Sequence, residues 1–223
     1  MAGETPSPSI AKRGCTACSA HSGGTGFCVA FSLCGRTLFC AARIVKTIRK
    51  AGDPIFTFAV VTVSTRGFSG EREDQSGPLI QAMLREHGKV VELAVVPDDR
   101  RLIGAVLIRL ADRQKVDAIF TTGGTGFAES DVTPEATTAV VSRLVPGIPE
   151  AMRHKSLEYT DRAMLSRAVA GIRGHTLIVN LPGSPKAAAE NLEVFLPCLE
   201  HALTTLRGET VDCAVPAGEN RKL

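Results

Sequence analysis

An apolar run that ends in a glycine-rich loop constrains the fold of this chain more than any other feature. Residues 117–120 have the pattern of a strand, and the loop Thr121-Thr122-Gly123-Gly124-Thr125-Gly126 follows directly. Asp131-Val132-Thr133-Pro134 then opens a helical pattern. Glycines carry no side chain, so a polyphosphate can approach the backbone N–H groups of such a loop closely. An Asp at the rim is suited to hold the Mg²⁺ that neutralises the phosphates, although the same glycines also fit an ordinary strand–helix turn.

Alternating strand and helix patterns fill residues 55–208. Apolar runs predict strands at 55–63, 90–96, 117–121 and 176–181. Periodic apolar positions and helix-start residues predict helices at 76–87, 99–112, 133–144, 148–157, 163–170 and 185–207, with a loop at 64–75. Repeated strand–helix order with short links favours parallel strands. The sequence therefore predicts an α/β fold with three layers, α/β/α, around a mostly parallel central sheet.

Four loops are predicted at the carboxyl ends of these strands, where the binding sites of such folds gather. They are Ser64-Thr65-Arg66-Gly67, Val96-Pro97-Asp98-Asp99, Gly123–Gly126 with Asp131, and Pro182-Gly183-Ser184-Pro185-Lys186. Helix N-termini and cations on this edge attract phosphate, whereas the carboxylates repel it unless a divalent cation lies between them. The combination favours phosphoryl or nucleotidyl transfer with Mg²⁺, which depends on positioning and charge neutralisation more than on a protein nucleophile.

Several of these residues also have purely structural interpretations. Either Asp98 or Asp99 is suited to cap the helix that follows. Ser184 and Thr133 each precede a proline, which is the pattern of an N-cap followed by a proline in the first turn. Because Thr133 already supplies a cap, a purely structural interpretation accounts less well for Asp131.

The composition argues against several classes of protein. Residues 1–52 hold seven Lys or Arg and one Glu, a net charge of +6, so the other 171 residues carry −3. A mildly acidic body with no Trp and one Tyr is not expected to bind nucleic acid. The apolar run at 27–42 contains Arg36 and is too short to span a membrane. Five of the seven cysteines lie in the first forty residues, too few remain for a disulfide framework, and a reducing, cytoplasmic location is expected.

Residues 1–54 stand apart from this domain in their composition. Pro6, Pro8 and the Ser/Gly-rich run up to Gly26 predict an N-terminal extension that is disordered or loosely structured. Their basic, nearly acid-free character is partly that of an organelle presequence. The Cys15–Cys18 pair with His21 has the character of half a zinc site, but no second, well-spaced Cys/His pair follows. Residues 209–223 are predicted to be a C-terminal tail.

Linked motifs within residues 55–208 resemble a known family. In family order they are Thr122-Gly123-Gly124-Thr125-Gly126, Asp131-Val132-Thr133-Pro134-Glu135-Ala136, Ala163-Met164-Leu165-Ser166-Arg167, Gly171-Ile172-Arg173-Gly174 and Asn180-Leu181-Pro182-Gly183-Ser184-Pro185. The chain closely resembles the MogA/MoaB proteins and the gephyrin G domain of molybdenum cofactor biosynthesis. The resemblance implies the molybdenum cofactor biosynthesis protein fold, with residues 55–208 as a molybdopterin-binding, adenylyltransferase domain.

The resemblance also implies an activity, in which ATP and molybdopterin give adenylyl-molybdopterin and pyrophosphate. Asp98 and Asp131 occupy the family's functional carboxylate positions, and would be catalytic by organising Mg²⁺ and the nucleotide phosphates. The adenylyl part would be contacted by Gly123, Gly124, Thr125 and Gly126. The terminal phosphate of molybdopterin would be held by Ser64, Arg66, Ser184 and Lys186. The family suggests a homotrimer, with the molybdate-inserting enzyme of the same pathway as a partner.

The chain departs from the family pattern at two places. Thr65 stands where many relatives have an Asp, so one rim of the site lacks an acidic side chain. Glu129-Ser130 replaces basic residues that often precede the family's Asp, which weakens the attraction for phosphate. Not every member of such a family need adenylylate, so a catalytically silent molybdopterin-binding protein is kept as an alternative, although the presence of both Asp98 and Asp131 argues against it. A scaffold protein whose N-terminal segment binds a partner is a further alternative.

Overall fold

A computed structural model describes residues 56–208 of the protein. This part of the chain contains the strands β1 (Thr57–Val63), β2 (Lys89–Val96), β3 (Ala118–Thr122), β4 (Arg143–Leu144), β5 (Ala170–Arg173) and β6 (Thr176–Leu181). They form a six-stranded sheet in the order β2-β1-β3-β6-β5-β4. Three predictions concern residues outside the described range. They are the N-terminal extension with its presequence character, the half zinc site, and the C-terminal tail.

Four of the six strands run parallel to one another. β1 pairs with β2 on one side and with β3 on the other, and β3 pairs with β6, all in parallel. β5 lies antiparallel to β6, and β4 lies antiparallel to β5. The mostly parallel central sheet that the sequence predicts is confirmed.

Helices cover both faces of this sheet. One face packs against α2 (Ser76–Leu84), α5 (Gly147–Ser156) and α6 (Pro185–Leu206). The other packs against α3 (Arg100–Ile108), its π-helical continuation Arg109–Gln114, and α4 (Thr133–Val140). Two shorter elements are α1 (Thr65–Phe68) and a 3₁₀ helix, Asp161–Leu165. Within residues 56–208 no helix has the length and apolar character needed to cross a bilayer.

The core is divided by the sheet into two hydrophobic clusters. Phe58 and Val60 of β1 enter the cluster beneath α2, α5 and α6. Ala59 and Val61 enter the cluster beneath α3 and α4. Because both faces of β1 are buried, its sequence is a continuous apolar run rather than an alternating one. This burial fixes the strand ends, and with them the loops that form the site.

The helix predicted at 133–144 ends early. Val141 has extended backbone, with φ −80° and ψ 149°, and ends α4. Arg143–Leu144 pairs with β5, and the N–H of Ser142 donates to the carbonyl of Ile172 at 2.8 Å. The prediction was wrong here because an edge strand of two residues is too short to produce an alternating pattern.

Two further predictions of local structure need correction. The segment 163–170 is not a helix, since the 3₁₀ helix ends at Leu165 and Ala170 already begins β5. The predicted loop 64–75 contains α1, because the Ser64 hydroxyl accepts the N–H of Gly67 at 3.1 Å and stabilises one helical turn.

Candidate functional site

The predicted loops meet around a cavity of about 530 Å³ at the carboxyl ends of β1, β2, β3 and β6. It is lined by seven of the ten residues predicted from the sequence, namely Ser64, Arg66, Asp98, Gly123, Gly124, Asp131 and Ser184. Two others, Thr125 and Gly126, face a neighbouring second cavity. The side chain of Lys186 does not line the first cavity. It is 86% exposed, and its Nζ lies 3.9 Å from Glu190 one helical turn further along α6.

Asp98 and Asp99 are adjacent in sequence but make different contacts. Asp99 Oδ1 accepts the N–H groups of Arg101 and Leu102, both at 2.8 Å, and so caps α3. Asp98 lines the cavity instead, and its Oδ2 accepts the backbone N–H and the hydroxyl of Thr65, both at 2.8 Å. The sequence left open which of the two residues caps the helix. In the structure Asp99 is the cap, and Asp98 lines the cavity.

Asp131 lies at the end of a tight turn that leaves the glycine loop. Its N–H donates to the carbonyl of Ala128 at 2.9 Å, and its Oδ2 accepts the N–H of Ala128 at 3.1 Å. Arg167 donates to the carbonyl oxygens of both Gly126, at 2.6 Å from Nε, and Asp131. One guanidinium therefore holds both ends of the turn that carries the Asp131 carboxylate. Arg167 belongs to a motif of the family resemblance, but no sequence signal indicated this role.

Thr133 does not cap its helix, contrary to the prediction. It is the first residue of α4, whose N-cap position is Val132. Its fully buried hydroxyl donates to the carbonyl of Gly123 at 2.9 Å, and its N–H donates to the carbonyl of Gly124 at 3.1 Å. A buried hydroxyl needs a partner, and here that partner ties the start of α4 to the glycine loop.

The glycine loop leaves no room for side chains. Gly123 and Gly124 have φ values of +101° and +61°, which glycine adopts at little cost. A β-carbon at Gly123 would lie 2.3 Å from the carbonyl oxygen of Val63. A β-carbon at Gly124 would lie 2.5 Å from Thr133 Oγ1 and 3.3 Å from Asp98 Oδ1. The loop is thus packed against the end of β1 and against the Asp98 carboxylate.

The loop after β6 is held by two hydroxyls. Thr122 Oγ1 donates to the carbonyl of Pro182 at 2.6 Å, and Ser76 Oγ donates to the carbonyl of Gly183 at 3.0 Å. Ser184 Oγ accepts the N–H of Ala187 at 3.3 Å and caps α6, while the residue also lines the cavity. Within residues 56–208, no acceptor contacts the N–H groups of Gly183 and Ser184.

Asp74 is a cavity residue that the sequence reasoning missed. Its Oδ2 accepts the hydroxyl of Thr62 at 2.7 Å, and its Oδ1 accepts the N–H groups of Ser76 and Gly77 at 3.1 and 3.0 Å. It therefore joins the end of β1 to the start of α2. The sequence feature that could have indicated this role is the position of Asp74, two residues before the helix-start pattern at Ser76.

The charges around the cavity are unbalanced. Arg66 and Arg72 supply positive charge, and Arg72 was also not predicted. The carboxylates on the lining are those of Glu73, Asp74, Asp98 and Asp131. A triphosphate entering a site with four carboxylates and two guanidinium groups is repelled unless a divalent cation accompanies it.

The carboxylates fit a metal that arrives with its ligand. Among residues 56–208, no three His, Cys, Asp or Glu side chains converge to hold a metal ion by themselves. Oδ1 of Asp98 and Oδ1 of Asp131 accept no hydrogen bond from this part of the chain. Mg²⁺ is typically bound by one or two carboxylates plus waters and substrate phosphates. The donor set therefore suits Mg²⁺ bound to a nucleotide rather than a resident ion.

A second cavity, of about 270 Å³, adjoins the other half of the glycine loop. Thr125 and Gly126 contribute to its lining. Its apolar walls come from Ala163, Leu165, Pro182 and Ala187. Asn191 also lines it and is 5% exposed, with its Nδ2 donating to Ser156 Oγ at 3.0 Å. The glycine loop thus borders a polar, carboxylate-bearing cavity and a more apolar one.

Comparisons with known proteins show which family the chain is similar to. A family model described as a probable molybdopterin binding domain matches residues 59–201. The molybdopterin adenylyltransferase of Helicobacter pylori strain J99 is 42% identical over 152 residues, which cover 67% of this chain and 86% of that protein. That of Haemophilus influenzae is 44% identical over 143 residues, covering 62% of this chain and 72% of that protein.

Solved structures give the same result. The crystal structure of the molybdopterin biosynthesis enzyme MoaB from Thermus thermophilus superposes with a TM-score of 0.66 at 49% identity, covering 69% of this chain and 97% of that one. The resemblance inferred from the sequence motifs is confirmed. Because the family match spans more than half of its residues, the chain belongs to the family defined by this probable molybdopterin binding domain.

Proposed function

We propose that this protein is a molybdopterin adenylyltransferase, which transfers the adenylyl group of ATP to the terminal phosphate of molybdopterin and releases pyrophosphate. The observation that carries the proposal is the convergence of Asp98 and Asp131, from two separate loops, on one cavity beside Gly123 and Gly124. The names of the relatives from H. pylori and H. influenzae support the same reaction.

The two cavities suggest how ATP would lie. The Gly123–Gly124 half of the loop faces the carboxylates, and the Thr125–Gly126 half faces the more apolar cavity. A nucleotide laid across the loop would place its phosphates in the first cavity and its base in the second. Apolar walls such as Leu165 and Pro182 suit a flat heteroaromatic base.

The carboxylates would act by holding the cation that neutralises the phosphates. Mg²⁺ held by Asp98 and Asp131 would neutralise the triphosphate and stabilise the charge that develops on the departing pyrophosphate. Thr65 and Ala128 occupy Oδ2 of these two side chains, which leaves Oδ1 of each available. The protein supplies no nucleophile of its own, because the attacking atom belongs to molybdopterin.

The terminal phosphate of molybdopterin would be held by cations and backbone donors of the same cavity. Arg66 and Arg72 provide positive charge there, and the N–H groups of Gly183 and Ser184 provide donors at the start of α6. We add Arg72 to this role beside Lys186, whose exposed side chain has its Nζ 3.9 Å from Glu190. A phosphate oxygen then attacks the α-phosphorus of ATP in line, and the bond from that phosphorus to pyrophosphate breaks.

The direct test is a product assay. Purified protein incubated with molybdopterin, ATP and Mg²⁺ should form adenylylated molybdopterin and pyrophosphate in equal amounts, and omission of Mg²⁺ should abolish both. Binding of molybdopterin without any product would contradict the proposal and support the catalytically silent alternative.

The proposal extends to a homotrimer, as the family resemblance implies. Phe127 and Met164 are 70% and 64% exposed, and an interface between copies would cover such apolar side chains. Light scattering on the purified protein should give three times the 23.6 kDa mass of one chain. A monomer would contradict this part. Transfer of the product to a molybdate-inserting enzyme and a cytoplasmic location stay predictions.

A further inference from the structure

Thr65 holds one oxygen of Asp98 with two donors. Its backbone N–H and its hydroxyl both donate to Asp98 Oδ2 at 2.8 Å. In return, the N–H of Asp98 donates to Thr65 Oγ1 at 3.1 Å. These reciprocal bonds join the loop after β1 to the loop after β2. Rotation of the Asp98 carboxylate would break both bonds to Oδ2.

Thr65 is itself held in place by its neighbour. The N–H of Ser64 donates to the carbonyl of Val96 at 2.8 Å, which fixes the start of the loop against β2. The Ser64 hydroxyl accepts the N–H of Gly67 at 3.1 Å and fixes the single turn of α1. The two donors of Thr65 therefore project from a rigid piece of backbone although the residue is exposed.

The consequence is a carboxylate with one occupied and one available oxygen. Oδ1 of Asp98 accepts no hydrogen bond from residues 56–208, and a β-carbon at Gly124 would lie 3.3 Å from it. Oδ1 therefore faces the glycine loop. Hydrogen bonds to a ligating carboxylate orient it and raise its affinity for a metal.

We propose that Thr65 is a positioning residue for the adenylyl transfer: its hydroxyl orients Asp98 so that Oδ1 binds the divalent cation of the metal–nucleotide complex. This inference rests on the proposed function. A Ser at this position keeps the hydroxyl donor. A Val has nearly the shape of Thr and keeps the backbone N–H, but loses the hydroxyl donor.

The chain contains a matched control at the opposite end of β1. Thr57 donates its N–H and its hydroxyl to Asp117 Oδ2, both at 2.8 Å, which repeats the contact geometry of Thr65 and Asp98. Asp117 is also bound by Arg207 through its other oxygen, so this pair is structural and lies away from the cavity. Thr57→Val removes the same kind of hydrogen bond without touching the site.

The experiment measures metal binding directly. Mn²⁺ is titrated, by electron paramagnetic resonance, into the full-length chain with a non-hydrolysable ATP analogue, for the wild type, Thr65→Val, Thr65→Ser and Thr57→Val. We expect Thr65→Val to raise the Mn²⁺ dissociation constant roughly tenfold, the lower end of the effect seen when a hydrogen bond to a metal ligand is removed. Thr65→Ser should bind Mn²⁺ like the wild type, and Thr57→Val should lower the Tm but leave Mn²⁺ binding unchanged.

Three results would overturn the inference. They are wild-type Mn²⁺ affinity in Thr65→Val, equal weakening in Thr65→Ser and Thr65→Val, and equal weakening in Thr57→Val. The product assay on the same wild-type sample separates this inference from the proposed function. Wild-type protein that binds Mn²⁺ with the nucleotide but forms no adenylylated product contradicts the reaction and not the role of Thr65. Wild-type protein that forms product while Thr65→Val binds Mn²⁺ normally contradicts only the role of Thr65.

Discussion

Gly124 lies so close to Asp98 that a β-carbon on the glycine would be 3.3 Å from the Oδ1 atom of the carboxylate. The same β-carbon would be 2.5 Å from Thr133 Oγ1, whose hydroxyl holds the loop. Adding one methyl group at this position would therefore disturb the carboxylate and the loop together, and would block the approach of a phosphate.

We predict that Gly124→Ala lowers adenylylation by at least an order of magnitude. It should destabilise the fold by more than the about 1–2 kcal/mol that a left-handed backbone costs a residue with a β-carbon, because the added carbon also clashes with Thr133. The control is Gly174→Ala, whose φ of +57° matches the +61° of Gly124 but which has nothing within 4 Å of its β-carbon. Gly174→Ala should lose only the cost of the left-handed backbone, and so less stability than Gly124→Ala in urea unfolding, and it should keep full turnover. Equal turnover in both variants would refute the close packing of the loop against the site.

Asp131→Asn should fold normally and lose turnover by roughly 100-fold, since it removes a carboxylate proposed to hold the Mg²⁺ that neutralises the transferring phosphoryl group. The asparagine oxygen can still accept the N–H of Ala128, so the turn is kept. Asp112→Asn, which breaks an exposed ion pair with Arg173, is the control and should leave turnover unchanged. Steady-state kinetics measures the turnover of each variant, and thermal unfolding checks that each one folds. Full turnover in Asp131→Asn would show that the assigned metal site is wrong.

Substitution of the neighbouring residues Asp98 and Asp99 should have opposite effects on turnover and on stability. Asp99→Ala removes the N-cap of α3 and should cost about 1 kcal/mol of unfolding free energy with turnover unchanged. Asp98→Asn should lose turnover with little change in stability, because its carboxylate bonds only the exposed Thr65 within residues 56–208. The reverse pattern, with activity lost in Asp99→Ala and kept in Asp98→Asn, would show that the two roles are exchanged.

Arg167→Gln should lower turnover about tenfold and raise the Mg²⁺ concentration needed for half-maximal rate, because it frees both ends of the turn that carries Asp131. Arg167 pairs with the Glu135 carboxylate besides its bonds to backbone carbonyls. Arg173→Gln is a matched control, since Arg173 pairs with the Asp112 carboxylate and donates to the carbonyl of Val140 at 2.7 Å. It should lose stability without a change in Mg²⁺ dependence. If both variants shift the Mg²⁺ dependence equally, Arg167 has no specific role.

The Glu92–Arg109 pair predicts a dependence of stability on pH. Hydrogen bonds from the Arg109 guanidinium, with a smaller contribution from Gln114, hold the pKa of Glu92 below its ordinary value. A lowered carboxyl pKa stabilises the fold above the unfolded-state pKa, and this contribution is lost as pH falls through the folded-state pKa. Glu92→Gln should therefore lower the unfolding free energy by about 1 kcal/mol at neutral pH. Urea unfolding should show this difference shrinking below about pH 4.5, and a difference that grows with acidity would contradict the pairing.

Much of the fold could be predicted because its strands are buried on both faces. The continuous apolar runs of β1, β3 and β6 identify the centre of the sheet. Because helices connect these strands, the strands are expected to pair in parallel, as they do. The edge of the sheet could not be predicted. β4 has two residues, and its pairing with β5 depends on a tertiary contact that no local pattern encodes.

Part of the candidate site could be predicted, because parallel strands place their carboxyl ends at the same edge of the sheet. Asp98 and Asp131 were found because they follow strands that lie near each other in the sheet. Sequence alone could not separate Asp98 from Asp99, since both precede the same helix and only the backbone geometry selects the cap. Asp74 was missed because it lies in a polar loop whose hydrogen bonds reach back to β1.

The most direct measurement is a crystal structure of the full-length protein with Mg²⁺ and a non-hydrolysable ATP analogue. We expect metal density in contact with both Asp98 and Asp131, the triphosphate against Gly123 and Gly124, and the base in the cavity beyond Thr125. A nucleotide bound elsewhere, or a metal that contacts neither carboxylate, would contradict the proposed reaction centre.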